Sequence, residues 1–198
     1  MNIISATLDI TPRLPCELGG YGYRKGKKWD KISDQLEANI VLISQVNNIP
    51  IVLISLDLLY ASSVLQSSID RFLYKSNKAT KFSISYFASH THSAPAVNDS
   101  RPSLGQFDVD YFNQISSLIA EKILYLYSQI LSDPNKSIDI SLAFSLLKYN
   151  PGVNRRKSKL FTITRRGVKF RQVVQVTPNL KIKLDDNTNL IYLYRNNV

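Results

Sequence analysis

One cysteine, one methionine, one tryptophan and two histidines stand among 198 residues, and each scarcity removes a class of protein. With Cys16 alone no intrachain disulfide can form, which excludes the disulfide framework of small secreted domains. Flanked by Pro15 and Glu17, with no second thiol to pair with, Cys16 reads as a buried or half-buried spectator. No run approaches the roughly 20 apolar residues of a membrane-spanning helix. The opening Met-Asn-Ile-Ile-Ser reaches Asp9 and Arg13 without the basic region and apolar run of a signal peptide. The sequence thus reads as a soluble chain with no export address, cytoplasmic by default. Internal repeats and low-complexity tracts are absent too.

Acidic residues are the minority charge. Fifteen Asp and Glu face 25 Lys and Arg, a formal net charge of +10. Such an excess favours acidic partners, but the basic residues form no helix-turn-helix, zinc-finger or RNA-recognition pattern, so no specific nucleic-acid partner is expected. Much of the excess sits in two places, Arg24 to Lys31 and Arg155 to Arg171, which read as solvated loops.

What is present is apolar residues along the whole length, 44% of the chain, with 20% charged. That is enough for one substantial core, and a single domain over residues 1–198 is expected. Ala38 to Val46 and Ile51 to Leu58 are rich in Ile, Val and Leu. They flank Asn47-Asn48-Ile49-Pro50, where asparagine accepts the positive φ of a tight turn, so they read as paired strands. The second is apolar almost without break, which predicts a strand covered on both faces near the middle of a sheet.

Val64, Leu65, Ile69, Phe72 and Leu73 recur at helical spacing and predict a helix from about Ser62 to Lys75. Phe82 to Ala88 follows as a strand. Phe112, Ile115, Ile119, Ile123, Leu126 and Ile130 mark a longer helix over Val109 to Leu131, with Asp108 and Asp110 at its positive end and Pro134 beyond its stop. Ile138 to Leu147 is a further strand, ended by the breaker Tyr149-Asn150-Pro151-Gly152. Leu160 to Thr164 and Val168 to Val176 predict a hairpin around Arg165-Arg166-Gly167. Ile182 to Leu184 and Leu190 to Tyr194 read as one more strand pair, the last running into Val198 without a polar tail. The fold class is therefore α/β, a layered mixed β-sheet with flanking helices.

Both histidines fall in one place, Ser89-His90-Thr91-His92-Ser93-Ala94-Pro95, at the end of the Phe82 to Ala88 strand. In extended backbone, residues i and i+2 project to the same side, so the two imidazoles can converge on one metal or on a metal and its substrate. Neutral imidazole binds zinc well and can transfer a proton near neutral pH. An ordinary polar strand end is the alternative for His-x-His taken alone. Asp57 ends an apolar strand beside the histidine strand and reads as structural; Tyr21 and Tyr23 read as packing or rim residues.

Ser89 to Pro95 resembles the Thr-His-Thr-His-Ser-Gly-Pro motif of the neutral and alkaline ceramidase family, with Ser89 for threonine and Ala94 for glycine. Other segments fall in the family's order. Asp9-Ile10-Thr11-Pro12 and Gly19-Gly20-Tyr21-Gly22 resemble its opening Asp-Ile-Thr-Pro and Gly-Tyr-Gly segments. Asp57 closes a strand as in the family, and Asn154-Arg155 resembles the segment supplying an active-site arginine. The resemblance implies the N-terminal part of the neutral ceramidase catalytic domain and a zinc-dependent amidase cleaving the N-acyl bond of ceramide or a related N-acylated small molecule or lipid.

It assigns His90 as a zinc ligand, His92 as a group beside the metal that orients or protonates reacting atoms, and Arg155 as a holder of substrate or of the developing oxyanion. The family takes its other ligands, a second histidine, a glutamate and a tyrosine, from beyond the region matched here. An incomplete site, in a chain that is inactive or slow on its own, is accordingly expected. The alternative is a non-catalytic ceramidase-like domain that binds an acidic ligand through its basic loops.

Overall fold

The computed structural model describes residues 1–24, 26–76, 80–100, 102–150, 152–164 and 168–196. Eight strands and two long helices appear among them: β1 (Asn2–Asp9), β2 (Glu37–Ser44), β3 (Ile51–Leu56), α1 (Ser63–Ser76), β4 (Ser83–Ala88), α2 (Val109–Ser132), β5 (Ile138–Lys148), β6 (Arg156–Thr164), β7 (Val168–Val176) and β8 (Asn187–Arg195). Six strands form a mixed sheet in the order β4-β3-β2-β1-β5-β8, and β6 pairs with β7 in a separate ribbon. The expected α/β class with a mixed sheet and helices is what the chain adopts.

Contacts gather the chain into two compact units, Met1–Ser141 with the residues from Arg195, and Leu142–Tyr194. In the first, β2 lies antiparallel to both β1 and β3, with Ile40 opposite Ala6 on one side and Ile54 on the other. Asn47 takes φ 63° in the β2–β3 connection, as its residue type predicts. β4 joins β3 in parallel, Ile54 opposite Tyr86, which requires the crossover that α1 supplies. β1 continues into β5 through Asn2↔Asp139 and Ile3↔Ile138.

The core is built from alternation on the strands and a stripe on each helix. Ala38, Ile40 and Leu42 of β2, Val52, Ile54 and Leu56 of β3, Leu65 and Ile69 of α1, and Ile115, Ile119 and Ile123 of α2 form one buried cluster. Each full burial of an Ile or Leu side chain contributes about 1.5–3 kcal/mol. β3 departs from the expectation of cover on both faces. Val52, Ile54 and Leu56 are buried, but Ile51 and Ser55 are exposed and Leu53 half-buried, because both helices pack into the one core cluster. α2 begins where its carboxylate cap predicts, with Asp108 Oδ1 accepting the Tyr111 N–H at 3.0 Å. The Tyr111 hydroxyl donates to the Ile10 carbonyl at 2.8 Å and so ties α2 to the end of β1.

In the second unit β6 and β7 pair from Arg156↔Val176 to Thr164↔Val168. The predicted turn at Arg165-Arg166-Gly167 lies outside the described residues, as do Pro151 of the predicted breaker and the terminal Val198. Ile182 to Leu184 is not a strand: the Ile182 N–H reaches the Asn179 carbonyl at 3.4 Å in a turn instead.

Candidate functional site

The parallel pairing of β4 extends one residue past the strand, where the Ser89 N–H meets the Leu56 carbonyl at 3.0 Å. The chain then turns at His90, which has φ 60°. A non-glycine residue in this left-handed region costs on the order of 1–3 kcal/mol and is kept only where surrounding contacts fix it. Among the described residues the non-glycine positive φ values fall at Asn47 and His90; Ala94, standing where the ceramidase motif has glycine, does not need one. The two imidazoles do come together, with ring centroids 5.3 Å apart and planes at 77°. A left-handed turn achieves this, not the extended backbone that the spacing predicts.

Each ring is held differently. His90 is exposed, and its Nδ1 lies 2.9 Å from the Leu59 carbonyl. A carbonyl oxygen can only accept, so Nδ1 is the donor here, and in the neutral ring Nε2 is the nitrogen with the lone pair. The Tyr60 ring meets His90 edge-on at 5.4 Å. His92 is half-buried, and its Nδ1 is buried without a hydrogen-bond partner among the described residues. That atom faces Gly20, where a Cβ would stand only 2.1 Å from it; Gly20 also has φ +109°.

The Gly-Tyr-Gly segment is therefore the seat of His92. The Gly19 N–H binds the Ala94 carbonyl at 2.8 Å and the Gly20 N–H the Leu104 carbonyl at 2.6 Å. The Tyr21 ring sits 4.2 Å from the His92 ring and 5.4 Å from Tyr23. Arg24, at the end of a short 3-10 turn, sends Nη1 to the His92 carbonyl and to the Gly19 carbonyl at 3.4 Å. Its guanidinium carbon also lies 4.8 Å from the Tyr21 ring centroid. Arg24 is thus not part of a solvated loop, whereas Lys27, Lys28 and Lys31 are exposed.

The other side of the histidine loop borders a cleft of about 420 Å³, lined by Thr11, Trp29, Asp34, Asp57, Thr91 and Ser93 among others. Asp9-Ile10-Thr11-Pro12 enters this wall through a local turn. Asp9 Oδ1 accepts the Thr11 N–H at 2.8 Å, and Thr11 Oγ1 accepts the Leu36 N–H at 2.9 Å. Hydrogen bonds from Thr11 hold the Asp9 carboxyl below its ordinary pKa. Asp57 is engaged with backbone: Oδ2 accepts the Glu37 N–H at 3.1 Å, and its own N–H reaches the Glu37 carbonyl at 2.9 Å. Three of the segments singled out in the sequence thus surround the histidine loop.

Arg155 belongs to the second unit, where it is exposed just before β6 and its carbonyl accepts the Thr177 N–H at 2.9 Å. Sequence reasoning missed Gly20 and Arg24 as individual contributors, and Tyr60 altogether. The first two stand in or beside a segment already singled out, and Tyr60 lies four residues past the end of β3.

Whether these residues suit zinc can be judged from the donors. His90 fits: a backbone carbonyl on Nδ1 orients the ring and leaves Nε2 to bind, the usual arrangement of a zinc imidazole. A catalytic zinc typically takes three protein ligands, and among the described residues no group of three His, Cys, Asp or Glu is placed to hold a metal ion. The histidine loop therefore fits part of a zinc shell. No helix among the described residues is long and apolar enough to cross a membrane.

No protein-family model matches this sequence, and no curated protein does. Solved structures do. The chain is similar to neutral ceramidase from Pseudomonas aeruginosa, with a TM-score of 0.61 and 17% identity over 79% of this chain and 24% of that one. It is similar also to a ceramidase complexed with C2, with a TM-score of 0.60 and 18% identity over 80% of this chain and 24% of that one. The chain spans 24% of the length of these solved structures, and at such identities the likeness is one of fold: the six-stranded mixed sheet with its two helices resembles a region of neutral ceramidase.

Proposed function

We propose that this chain is the N-terminal portion of a zinc-dependent amide hydrolase of neutral ceramidase type, acting on the N-acyl bond of ceramide or a related N-acylated molecule. The observation that carries this reading is the meeting of the His90 and His92 rings at 5.3 Å, with the His90 Nδ1 committed to a carbonyl and its Nε2 left to bind. Ceramidase-like fold and the order of the segments around the loop support it. His90 would hold the metal, and further ligands would have to come from outside the described residues. The chemistry that zinc supplies in such a site is polarisation of the amide carbonyl and activation of water.

The chain's own residues then divide the remaining work. The Leu59 carbonyl fixes which His90 nitrogen binds. Gly20 and Tyr21 seat His92 with Nδ1 shut away, so Nε2 is the atom through which His92 gives a proton to the departing amine. Arg155 would bind the substrate or its developing negative charge through its planar guanidinium.

A second reading, a non-catalytic domain binding an acidic ligand through exposed Lys27, Lys28, Lys31, Arg156 and Lys157, draws on the missing third metal donor among the described residues. Zinc uptake by equilibrium dialysis, wild type against His90→Ala, separates the two. Uptake in the wild type that is lost in the variant is expected. Equal uptake in the two proteins would reject His90 as a ligand and favour the second reading, whereas none in either would mean that the histidine loop does not retain zinc without ligands from outside the described residues.

A further inference from the structure

Arg24 lies in a basic stretch, yet it is half-buried and makes three contacts with the histidine loop and its seat. Nη1 donates to the His92 carbonyl and to the Gly19 carbonyl at 3.4 Å, and the guanidinium lies over Tyr21, whose ring is the one against His92. A guanidinium can serve two carbonyls and an aromatic face at once because it is planar and presents several donors in a fixed fork; an ammonium cannot reproduce that geometry.

Gly20, between the two residues that Arg24 touches, leaves no room for a Cβ beside His92 Nδ1. Among the described residues that buried nitrogen has no hydrogen-bond partner to fix the ring's orientation. Its position is set from outside the ring, by the backbone carbonyl that Arg24 grips and by the Tyr21 face that Arg24 covers.

We infer that Arg24 is a positioning residue for His92, acting through the His92 carbonyl and the Tyr21 ring to hold the imidazole beside His90. The role in hydrolysis rests on the function proposed above; the positioning itself does not, and it can be read without metal or substrate. With only two histidines in the chain, a proton–nitrogen correlation spectrum of the imidazoles contains two ring systems, one a direct report and the other an internal control.

In Arg24→Ala the ring-to-ring nuclear Overhauser contact between Tyr21 and His92 is expected to disappear, and the His92 ring shifts to move to those of a free imidazole. The His90 signals, held by Leu59, should keep their positions. Arg24→Lys, which preserves charge and most of the side-chain stem, should lose the same contact, and it serves as the test if the alanine variant does not fold. An unchanged Tyr21–His92 contact in the folded variant would overturn the inference. So would equal movement of both histidines or loss of dispersion across the spectrum in both variants, since either makes Arg24 a residue that merely supports the fold. Zinc uptake undiminished by His90→Ala, with the His92 result as expected, would sink the hydrolase reading and leave the positioning intact.

Discussion

Replacing Gly20 by alanine tests whether the Gly-Tyr-Gly segment is a seat for His92 or an ordinary loop. The added Cβ would stand 2.1 Å from His92 Nδ1, 2.6 Å from Cγ and 2.7 Å from Cε1, so the imidazole must move. Alanine would also have to hold φ +109°, a strain of about 1–3 kcal/mol. Displacing His92 forfeits its contact with Tyr21, worth about 0.5–1.5 kcal/mol. Together these predict a loss of about 2–4 kcal/mol in urea unfolding.

Two neighbouring glycines calibrate that number. At Gly26 a Cβ would meet the end of the flexible Glu17 carboxylate at 3.3 Å, so Gly26→Ala should cost only the positive φ, about 1–2 kcal/mol. At Gly19 the nearest atoms are at 3.4, 3.5 and 3.6 Å, ordinary contact distances, and Gly19→Ala should be neutral or stabilising by up to about 1 kcal/mol. A Gly20→Ala protein within about 0.5 kcal/mol of the wild type, or the reverse ranking of the three, would refute the reasoning.

Two further substitutions probe the frame that carries the loop. Asp108→Ala removes the cap on the Tyr111 N–H and should lower stability by about 1 kcal/mol, read from the urea midpoint, with the slope unchanged. Tyr111 gives a pH test. Burial, reinforced by Cys16, Asp9 and Asp108, pushes its phenol far above the usual range, so the folded state keeps it neutral where the unfolded chain ionises it. Its contribution is full below the unfolded pKa of about 10 and is lost as pH rises above it, by about 1.4 kcal/mol per pH unit. Tyr111→Phe should flatten that alkaline slope while costing about 1–3 kcal/mol at neutral pH, because the Ile10 carbonyl loses its donor.

Most of the frame was legible because periodicity and burial coincide. The stripe Ile115, Ile119, Ile123 is the buried face of α2, and the two apolar runs around Asn47 are the β2–β3 pair. β1 carries the same kind of signal, Ile4, Ala6, Leu8 and Ile10 alternating with Ser5, Thr7 and Asp9. The Asp9-Ile10-Thr11-Pro12 motif that ends this stretch masks its alternation. Ile182 to Leu184 shows the opposite error, three residues whose alternation is too short to outweigh the turn at Asn179.

At the site, residue type located the loop and missed its mechanism. Two histidines two apart marked the loop in which the rings lie 5.3 Å apart, but the left-handed φ at His90, whose Nδ1 meets the Leu59 carbonyl, is a tertiary property that spacing does not carry. Arg24 was hidden by composition, since a positive charge among others reads as solvated until its carbonyl partners, distant in sequence, are known.

The central claim is that His90 and His92 belong to one zinc site, and a zinc titration of the wild-type chain followed through its two imidazole ring systems tests it most directly. The account predicts that His90 changes at Nε2 with Nδ1 still protonated, that His92 responds at the same midpoint, and that His90→Ala abolishes the response of His92. A His90 ring unmoved by zinc, or a His90 that binds while His92 beside it does not respond, would contradict it.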